Sequence, residues 1–576
     1  MKAEIIKKEK KESKAHQLKN YKEEYKKFKW KDAEKEVAWF SKGKINAAYN
    51  AITRHALGKN KDKIALLWEG ENGETANYTF LQLEEESNKF ANALKKLGVQ
   101  KGDRVFIFLP RIPPQYICFI GILKLGAIAS TMFSAFGPDA LKDRLLDSGA
   151  RIVITTIELK GRIDKIRKEL PELKNVVVIG AQQLGEGEIK YEEVMSQASK
   201  DFKTVETGEE DPAFMLYTSG TTGKPKGVVH VHKAILQQHM TARWVLDLKE
   251  EDTYWCTADP GWITGISYTI LGPWSNGITS FVHGGRFDPE KWYSLIEKYK
   301  VTVWYTAPTA IRMLMAADSN SSKKYNLGSI RHACSVGEPL NPEAIRWSKK
   351  ELNIVFHDNW WQTETGAIMI ANYASMNIKI GSMGKPIPGV KAGIINDSGK
   401  KVKDGQEGNL ATKPGWPSMM STIWNNPEKY NSYFKDGWYI SGDRAWKDKD
   451  GYFWFIGRAD DVIKTSGERV GPFEVESTLL SHPAVAEAGV IGKPDPVRGE
   501  IIKAFVTLKA GYQPSEQLKQ EIQQFVKGKL AGHAYPREIE FRDTLPKTRS
   551  GKIMRRLLKA QELGLPIGDT STLEEY

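Results

Sequence analysis

Tyr217-Thr-Ser-Gly-Thr-Thr-Gly-Lys-Pro-Lys-Gly227 is the most informative stretch of this 576-residue chain. It follows an apolar run, Ala213–Tyr217, and precedes a second, Val228–Val231. Three glycines, four hydroxyls and two lysines make a flexible loop of donors and cations. Glycine lets backbone N–H groups come close to a ligand, hydroxyls donate and lysine adds point charge, which together suits a polyphosphate. A Walker A loop needs four residues between glycine and Gly-Lys, then Ser or Thr. Here two residues separate Gly220 from Gly223-Lys224 and Pro225 follows, so P-loop GTPase and ATPase readings fail on spacing. A plain surface turn rarely needs this many hydroxyls and lysines together.

On the N-terminal side of the loop, strand and helix signals alternate. Ile64–Trp68, Val105–Leu109, Arg151–Thr156 and Asn175–Ile179 are apolar or β-branched runs. Thr79-Phe-Leu-Gln82 is a capping box, with Leu83, Phe90, Leu94 and Leu97 on one helix face and Gly98 as its stop. Short-spaced alternation of this kind predicts parallel α/β layers. After residue 380, Gly, Pro, Asp and aromatics become frequent and short alternating runs such as Tyr452–Ile456 appear, which predicts a smaller β-rich unit. An α+β tail follows. The predicted organisation is a large N-terminal domain, 1–459, of layered α/β subdomains plus a β-rich subdomain, and a small mobile α+β C-terminal domain, 460–576.

The charge is 84 basic minus 71 acidic residues, or +13. Residues 1–35 hold 13 Lys and 7 Asp or Glu, so +6 of it sits there and the remaining 541 residues carry about +7. That is too weak for a uniformly basic nucleic-acid binder. Leu18, Tyr21, Tyr25 and Phe28 fall at helical spacing, so residues 1–40 are expected to form a helical basic extension docked on its own domain; Glu23, Glu24 and Glu34 dilute the face that anionic lipids would prefer. Cys118, Cys256 and Cys334 form no CxxC pair, which argues against a disulfide scaffold or structural zinc and for a reduced, cytoplasmic protein. The most apolar stretch, Ile117–Leu123, ends at Lys124, far short of the ~20 residues that a spanning helix needs.

Further motifs stand in order along the chain: Ser335-Val-Gly-Glu-Pro339, Asp358-Asn-Trp-Trp-Gln-Thr-Glu-Thr-Gly366, Tyr439-Ile-Ser-Gly-Asp443, Gly457-Arg458 with Asp460, and Pro546-Lys-Thr-Arg-Ser-Gly-Lys552. With the loop they resemble the signature of the adenylate-forming enzymes: acyl-CoA synthetases, luciferases and peptide-synthetase adenylation domains. Cys256–Gly265, Tyr305–Thr309, Trp360-Trp361, Trp424–Glu428 and Lys552–Arg556 narrow the likeness to AMP-forming acetate–CoA ligases of the shorter bacterial type.

The resemblance implies that ATP or AMP is contacted by Thr218, Ser219, Gly220, Thr221, Thr222 and Lys226 of the loop. Gly337, Glu338 and Pro339 form one wall of an adenine slot, and Asp358, Asn359, Trp360, Trp361, Gln362 and Thr363 the other. Asp443 accepts the ribose hydroxyls, since one carboxylate can take two O–H donors, and Arg458 and Arg469 address ribose or phosphate. Glu364 is the expected Mg²⁺ carboxylate, a hard oxygen ligand, and His482 a helper at a second metal. Trp360 is the expected floor of an acetate pocket completed by Ile263, Thr264 and Val336. CoA is expected along Ser466, Gly467 and Thr264, with Arg162 and Lys527 where longer relatives carry an arginine-rich loop and a C-terminal arginine. Asp460 is the expected hinge. Joining two anions requires positive charge where the α-phosphate turns pentacoordinate, and Lys552 is the expected catalytic cation. Its acetylation and deacetylation by partner enzymes would then switch the first step. His230-Val-His232 has no third metal ligand near in sequence, and Cys256 and Cys334 read as packing.

These readings converge on ligation of acetate and CoA at the expense of ATP, without nucleic-acid or membrane partners. The rivals are a propionate or other short-chain ligase, an adenylation module serving a carrier protein, and a nucleotide-sensing or RNA-binding protein using the basic N-terminus.

Overall fold

The computed structural model describes residues 4–8, 15–219, 224–317, 320–466, 468–530, 534–548, 552–567, 570 and 573, with Ser219 described in its backbone alone. Two large sheets dominate. An eight-stranded sheet runs, edge to edge, through Thr422–Ile423, Pro225–Val231, Pro212–Ser219, Ile128–Thr131, Arg104–Phe108, Ile152–Thr156, Asn175–Ile179 and Glu188–Lys190. A nine-stranded sheet runs through Lys385–Pro386, Ile370–Ala371, Phe356–Trp360, His332–Ser335, Val303–Thr306, Thr253–Cys256, Thr279–His283, Ile64–Glu69 and Thr75–Thr79. Both centres are parallel, and antiparallel pairs occur toward the edges.

Strand alternation explains the layering. Val105 and Ile107 point into a core shared with Tyr254 and Tyr305 of the other sheet. Phe106 and Phe108 point the opposite way, onto Leu141 and Leu145 of the Pro138–Ser148 helix. Trp255 and Trp304 likewise face outward, toward the Pro289–Tyr299 and Pro342–Glu351 helices. Between the sheets lies the Pro113–Lys124 helix, apolar on every side because it is covered on every side. The charge that ends its apolar run, Lys124, is fully buried and meets Glu84 at 2.5 Å and Asn88 Oδ1 at 2.6 Å. The expected capping box is present: Gln82 N donates to Thr79 Oγ1 at 3.1 Å and Thr79 N to Gln82 Oε1 at 2.8 Å.

Two smaller sheets follow. One contains Ala392–Ile395, Glu407–Thr412, Phe434–Lys435, Trp438–Lys447 and Phe453–Arg458. The other contains Ile463–Thr465, Glu468–Val470, Val485–Asp495, Gly499–Leu508 and Glu538–Phe541, and has its own core around Val475, Leu479, Val490 and Ile522. The predicted α/β class is the one observed.

The basic extension is less helical than its spacing predicts; its described helices are Tyr21–Lys27, Trp30–Ala33 and the short 3-10 helix Glu34–Glu36. Ile5–Ile6 instead pairs as a strand with Ile378–Lys379. Tyr21 donates to Pro386 O at 2.9 Å, Tyr25 to Val390 O at 3.0 Å and Trp30 Nε1 to Gly389 O at 3.1 Å. The aromatic face is thus spent on the chain's own backbone. Among the described residues, no helix is long and apolar enough to cross a membrane.

Burial holds several imidazoles neutral: His55, His230 and His332 are pushed down to about 4, and His232 and His239 to about 3. The unfolded chain takes up these protons below about pH 6.5, while the folded chain does not until the lower values. Stability is therefore full above pH 6.5 and falls as pH drops toward 4. Thermal melts at constant ionic strength should show a lower midpoint at pH 5.5 than at pH 7.5. Identical midpoints would contradict this reading of the buried histidines.

Candidate active site

The glycine- and lysine-rich stretch is the tip of a hairpin in which Ser219 pairs with Pro225 and Thr218 with Lys226. Gly220, Thr221 and Thr222 lie outside the described residues. At the tip's base, the Thr218 hydroxyl is buried without a hydrogen-bond partner. Lys226 reaches Glu364 Oε1 at 2.9 Å and also donates to Tyr433 Oη, which in turn donates to Glu364 Oε1 at 2.9 Å. Burial alone would raise the Glu364 carboxyl, but the Lys226 ammonium outweighs it and holds the acid below its usual range.

The turn carrying Glu364, Thr363–Thr365, is braced from behind. His230 has one ring nitrogen 2.8 Å from Thr363 O and the other 3.2 Å from Ser418 O. Gly366 closes the turn at φ +72°, and a Cβ there would run into Ser418 O. His230 is thus a structural prop, and His232 accepts from Ala47 N at 3.1 Å.

Asp443 is 3 % exposed and collects donors from two directions. Trp360 Nε1 donates to its Oδ2 at 2.8 Å, Gln362 Nε2 to the same oxygen at 3.2 Å, and Arg458, paired with it across the sheet, stands 3.2 Å from Oδ1. Burial raises its pKa, against the pull of Arg458 and the Trp360 hydrogen bond. Gln362 is fixed in turn by Tyr439, whose hydroxyl donates to Oε1 at 2.9 Å. Asp358 uses Oδ2 weakly for Leu340 N and leaves Oδ1 without a partner, and its burial raises its pKa well above the usual range. Opposite stand Gly337 at φ +102°, Glu338 and Pro339; Glu338 is held by Arg312 at 2.8 Å and Thr309 at 2.5 Å.

The two tryptophans face opposite ways. Trp360, expected as a pocket floor, has its indole committed to Asp443. Trp361 turns the other way, with Nε1 3.3 Å from Tyr305 Oη and its ring edge-on to Tyr268 at 5.1 Å. Consecutive residues of an extended chain point to opposite faces, so the doubled Trp in the sequence cannot say which one faces which pocket. Tyr268 lies in the π-helix Ile266–Leu271, which continues the Ile263–Gly265 turn carrying Thr264. Ile263, Val336, Trp360 and Trp361 all belong to one buried cluster with Tyr268 and Tyr305, so the hydrogen bonds rather than burial tell the two indoles apart.

Lys552 lies in a cleft with Glu338, Pro339 and Arg312 on one side and Phe473, Glu476 and Arg555 on the other. Loss of hydration in the cleft, and the Arg458 charge, lower its pKa, while Glu338 and Asp443 pull the opposite way. Asp460 is exposed in the turn between Phe453–Arg458 and Ile463–Thr465. Arg469 is exposed on Glu468–Val470, near enough to Arg444 to depress its pKa. Of the expected CoA contacts, Ser466 sits at φ +53° with its N–H donating to Arg498 O at 2.9 Å, and Gly467 lies outside the described residues. Arg162 donates to Ser134 O at 2.8 Å, and Lys527 lies 5.4 Å from the Tyr535 ring centroid.

Glu364 fits a divalent cation that brings its own phosphate oxygens and waters, because Mg²⁺ is commonly held by one or two carboxylates plus substrate. Among the described residues, no group of three His, Cys, Asp or Glu side chains could hold a metal unaided. The Nδ1 of His482 accepts from Ala484 N at 3.2 Å and its ring packs edge-on to Phe525, which leaves Nε2 as the nitrogen that could take a metal. Tyr433, Tyr305, Tyr268 and His230 were not legible as site residues, since their partners lie far away in sequence with no spacing rule to link them.

A buried carboxylate beside a loop of cations, and a lysine brought in across a cleft, define the class as adenylate-forming enzymes. The chain belongs to the AMP-binding enzyme family: that family's model matches residues 53–424, and the AMP-binding enzyme C-terminal domain matches 474–552. It is 58 % identical to the acetyl-coenzyme A synthetase of Bacillus subtilis over 97 % of this chain and 98 % of that protein. It is 46 % identical to the acetyl-coenzyme A synthetase of Methanothrix thermoacetophila over 93 % and 86 %. Among solved structures, an anthranilate CoA ligase in complex with anthranoyl-AMP superposes with a TM-score of 0.84 at 33 % identity, over 91 % of this chain and 98 % of the other. The Brucella canis acyl-CoA synthetase gives 0.74 at 36 %, over 95 % and 99 %.

Removing one member of a buried ion pair leaves the other charge uncompensated and costs about 3 kcal/mol or more. Lys226→Met should therefore lower stability in urea titrations by about that amount, and adding Glu364→Gln should restore most of it. A single variant as stable as the parent would show that the pair is solvated.

Proposed function

We propose that this chain is an AMP-forming acetate–CoA ligase. The observation that carries the reading is the place of Lys552 in the cleft that Glu338 lines, within electrostatic reach of Arg458 and Asp443. A carboxylate oxygen of acetate attacks the ATP α-phosphorus, pyrophosphate leaves, and acetyl-adenylate remains. The CoA sulfur then attacks the acyl carbon, the thiol gives up its proton, and AMP leaves. Asp443 takes the ribose hydroxyls and Asp358 Oδ1, an acceptor without a donor, suits the adenine amino group. Arg458 and Arg469 stand for ribose and phosphate, and the Thr218–Lys226 hairpin cradles the β- and γ-phosphates. Glu364 would hold Mg²⁺, whose charge supports the polyphosphate, and Lys552 meets the charge developing on the α-phosphate.

Acetate selectivity is supported by the aromatic plug. Trp361 contacts Tyr268 and Tyr305, and we infer that it, in the role first expected of Trp360, closes the space beside Ile263, Thr264 and Val336. The names of the relatives agree with this substrate. Ser466, Gly467 and Thr264 are proposed to line the pantetheine path, and Arg162 and Lys527 to serve the CoA phosphates.

The domain division is proposed at 459/460 with Asp460 as hinge, because an exposed turn there joins two sheets with separate cores. Rotation about it would withdraw Lys552 and admit CoA, so that one site serves two steps. Acetylation and deacetylation of the Lys552 ammonium by partner enzymes would switch the first step alone. Three buried, unpaired cysteines suit a reducing compartment, the cytoplasm.

Trp361→Gly should move preference from acetate toward valerate-sized acids, whereas Trp360→Gly should raise the KM for ATP and leave chain-length preference alone. Initial rates from acetate to hexanoate separate the two; an acetate preference unmoved by Trp361→Gly would exclude it from the pocket. Lys552→Ala should lower acetate-dependent pyrophosphate release by ~10²–10³-fold and spare turnover of supplied acetyl-adenylate with CoA. Intact pyrophosphate release would rule out the catalytic role and the switch together.

A further inference from the structure

Lys552 is bonded back onto residues 546–548, and residues 549–551 lie outside the described residues. Thr548 N donates to Lys552 O at 2.8 Å, Lys552 N to Thr548 Oγ1 at 3.1 Å, and Met554 N to Pro546 O at 2.8 Å. These bonds set the segment's shape without aiming it. Direction has to come from contacts that leave the segment: Lys547 Nζ meets Glu487 Oε1 at 2.7 Å, and the two-pronged contact is that of Arg555, three residues beyond the lysine. Its Nε donates to Glu476 Oε1 at 2.7 Å and its Nη2 to Oε2 at 2.5 Å, a two-pronged fork on a carboxylate that is 5 % exposed. Glu476 is itself immobilised, because Oε1 also accepts from Val490 N at 2.9 Å.

Glu476 lies on the Pro472–Leu480 helix, and that helix is what meets the opposite wall of the cleft. The next residue, Ser477, accepts from Asn341 Nδ2 at 2.9 Å. Asn341 Oδ1 in turn accepts from Arg312 Nη1 at 3.1 Å, and Arg312 Nη2 holds Glu338 at 2.8 Å. A continuous set of polar contacts therefore runs from the Glu338 wall across the cleft to Ser477, along one helix residue to Glu476, and through Arg555 to the lysine segment. An Arg–carboxylate fork fixes direction as well as distance, which a point charge would not.

We propose that Glu476 and Arg555 are the positioning pair of Lys552. The fork fastens the lysine segment to the same helix that docks on Asn341, so closing the cleft and delivering the ammonium become one movement. This rests on the reading of Lys552 given above. The competing role for the pair is a brace of the C-terminal core, which would serve both chemical steps alike.

The test uses the full chain and two assays: acetate-dependent pyrophosphate release from ATP, and CoA-dependent turnover of supplied acetyl-adenylate. Misplacement of a reacting group by about 1 Å can cost ~10²-fold. Glu476→Gln should accordingly lower pyrophosphate release by about 10- to 100-fold and leave acetyl-adenylate turnover within about twofold. Arg555→Lys, which keeps the charge and loses the fork, should fall between that variant and the parent. In a Lys552→Ala background, Glu476→Gln should cost nothing further in pyrophosphate release, since a positioning residue has no effect once its client is gone. Equal losses in both assays, an undiminished loss in the Lys552→Ala background, or no loss in either assay would overturn the proposal. A parent protein without acetate-dependent pyrophosphate release would instead remove the functional reading on which it rests.

Discussion

The buried carboxylate of Asp443 is the constraint on which the arrangement of the site depends. An ionised acid withdrawn from water is expensive unless donors replace its hydration. Here the replacements come from two different sheets: Trp360 and Gln362 from the end of the nine-stranded sheet, and Arg458 from the strand beside Asp443 itself. Satisfying one carboxylate therefore joins the sheets at a fixed distance. It also sets the orientation of Trp360, and with it the opposite orientation of Trp361; on the proposed reading, the nucleotide wall and the acyl pocket are then specified by the same hydrogen bond. Arg458 then places the start of the turn that carries Asp460.

The surrounding layers make that junction rigid. The Pro113–Lys124 helix lies between two sheets whose strands alternate inward and outward residues, so neither sheet can shift without exposing a face of the helix. Its terminal lysine is satisfied by Glu84 and Asn88 rather than by water, which fixes it against the neighbouring helix. The N-terminal extension adds an outer strap, pairing with the strand at 378–379 and holding three backbone carbonyls between 386 and 390 with Tyr and Trp side chains.

Much of this was legible in the sequence because it is local. The Thr79–Gln82 cap, the buried strands at 105–109 and 175–179, and the hairpin loop each declare themselves within a dozen residues. What was not legible depends on direction or on distance. Spacing identifies a doubled tryptophan but not which indole turns toward Asp443, because the answer is set by the pleat of the strand before it. Tyr433 and His230 act on residues 69 and 133 positions away, a relation that no single-sequence pattern carries. The helical spacing of Leu18, Tyr21, Tyr25 and Phe28 was real, yet only the middle of it forms a helix, because hydrogen bonds to carbonyls at 386–390 hold the aromatics as firmly as helix periodicity would.

The electrostatics of the cleft complete the argument. Arg458 and Arg555 both depress the pKa of Lys552, while Glu338 and Asp443 support its charge. The closed arrangement thus gathers like charges whose mutual repulsion is only partly offset by the acids between them. On the proposed reading, the phosphates of ATP supply the missing negative charge, so closure is most favourable when the polyphosphate is present. Departure of pyrophosphate removes that charge and leaves the cations facing one another across a cleft joined by few polar contacts, of which Asn341 to Ser477 is one. The sequence of the two steps then follows from charge balance: the lysine belongs in the site while a polyphosphate is there to hold it, and its withdrawal becomes less costly once the adenylate alone remains.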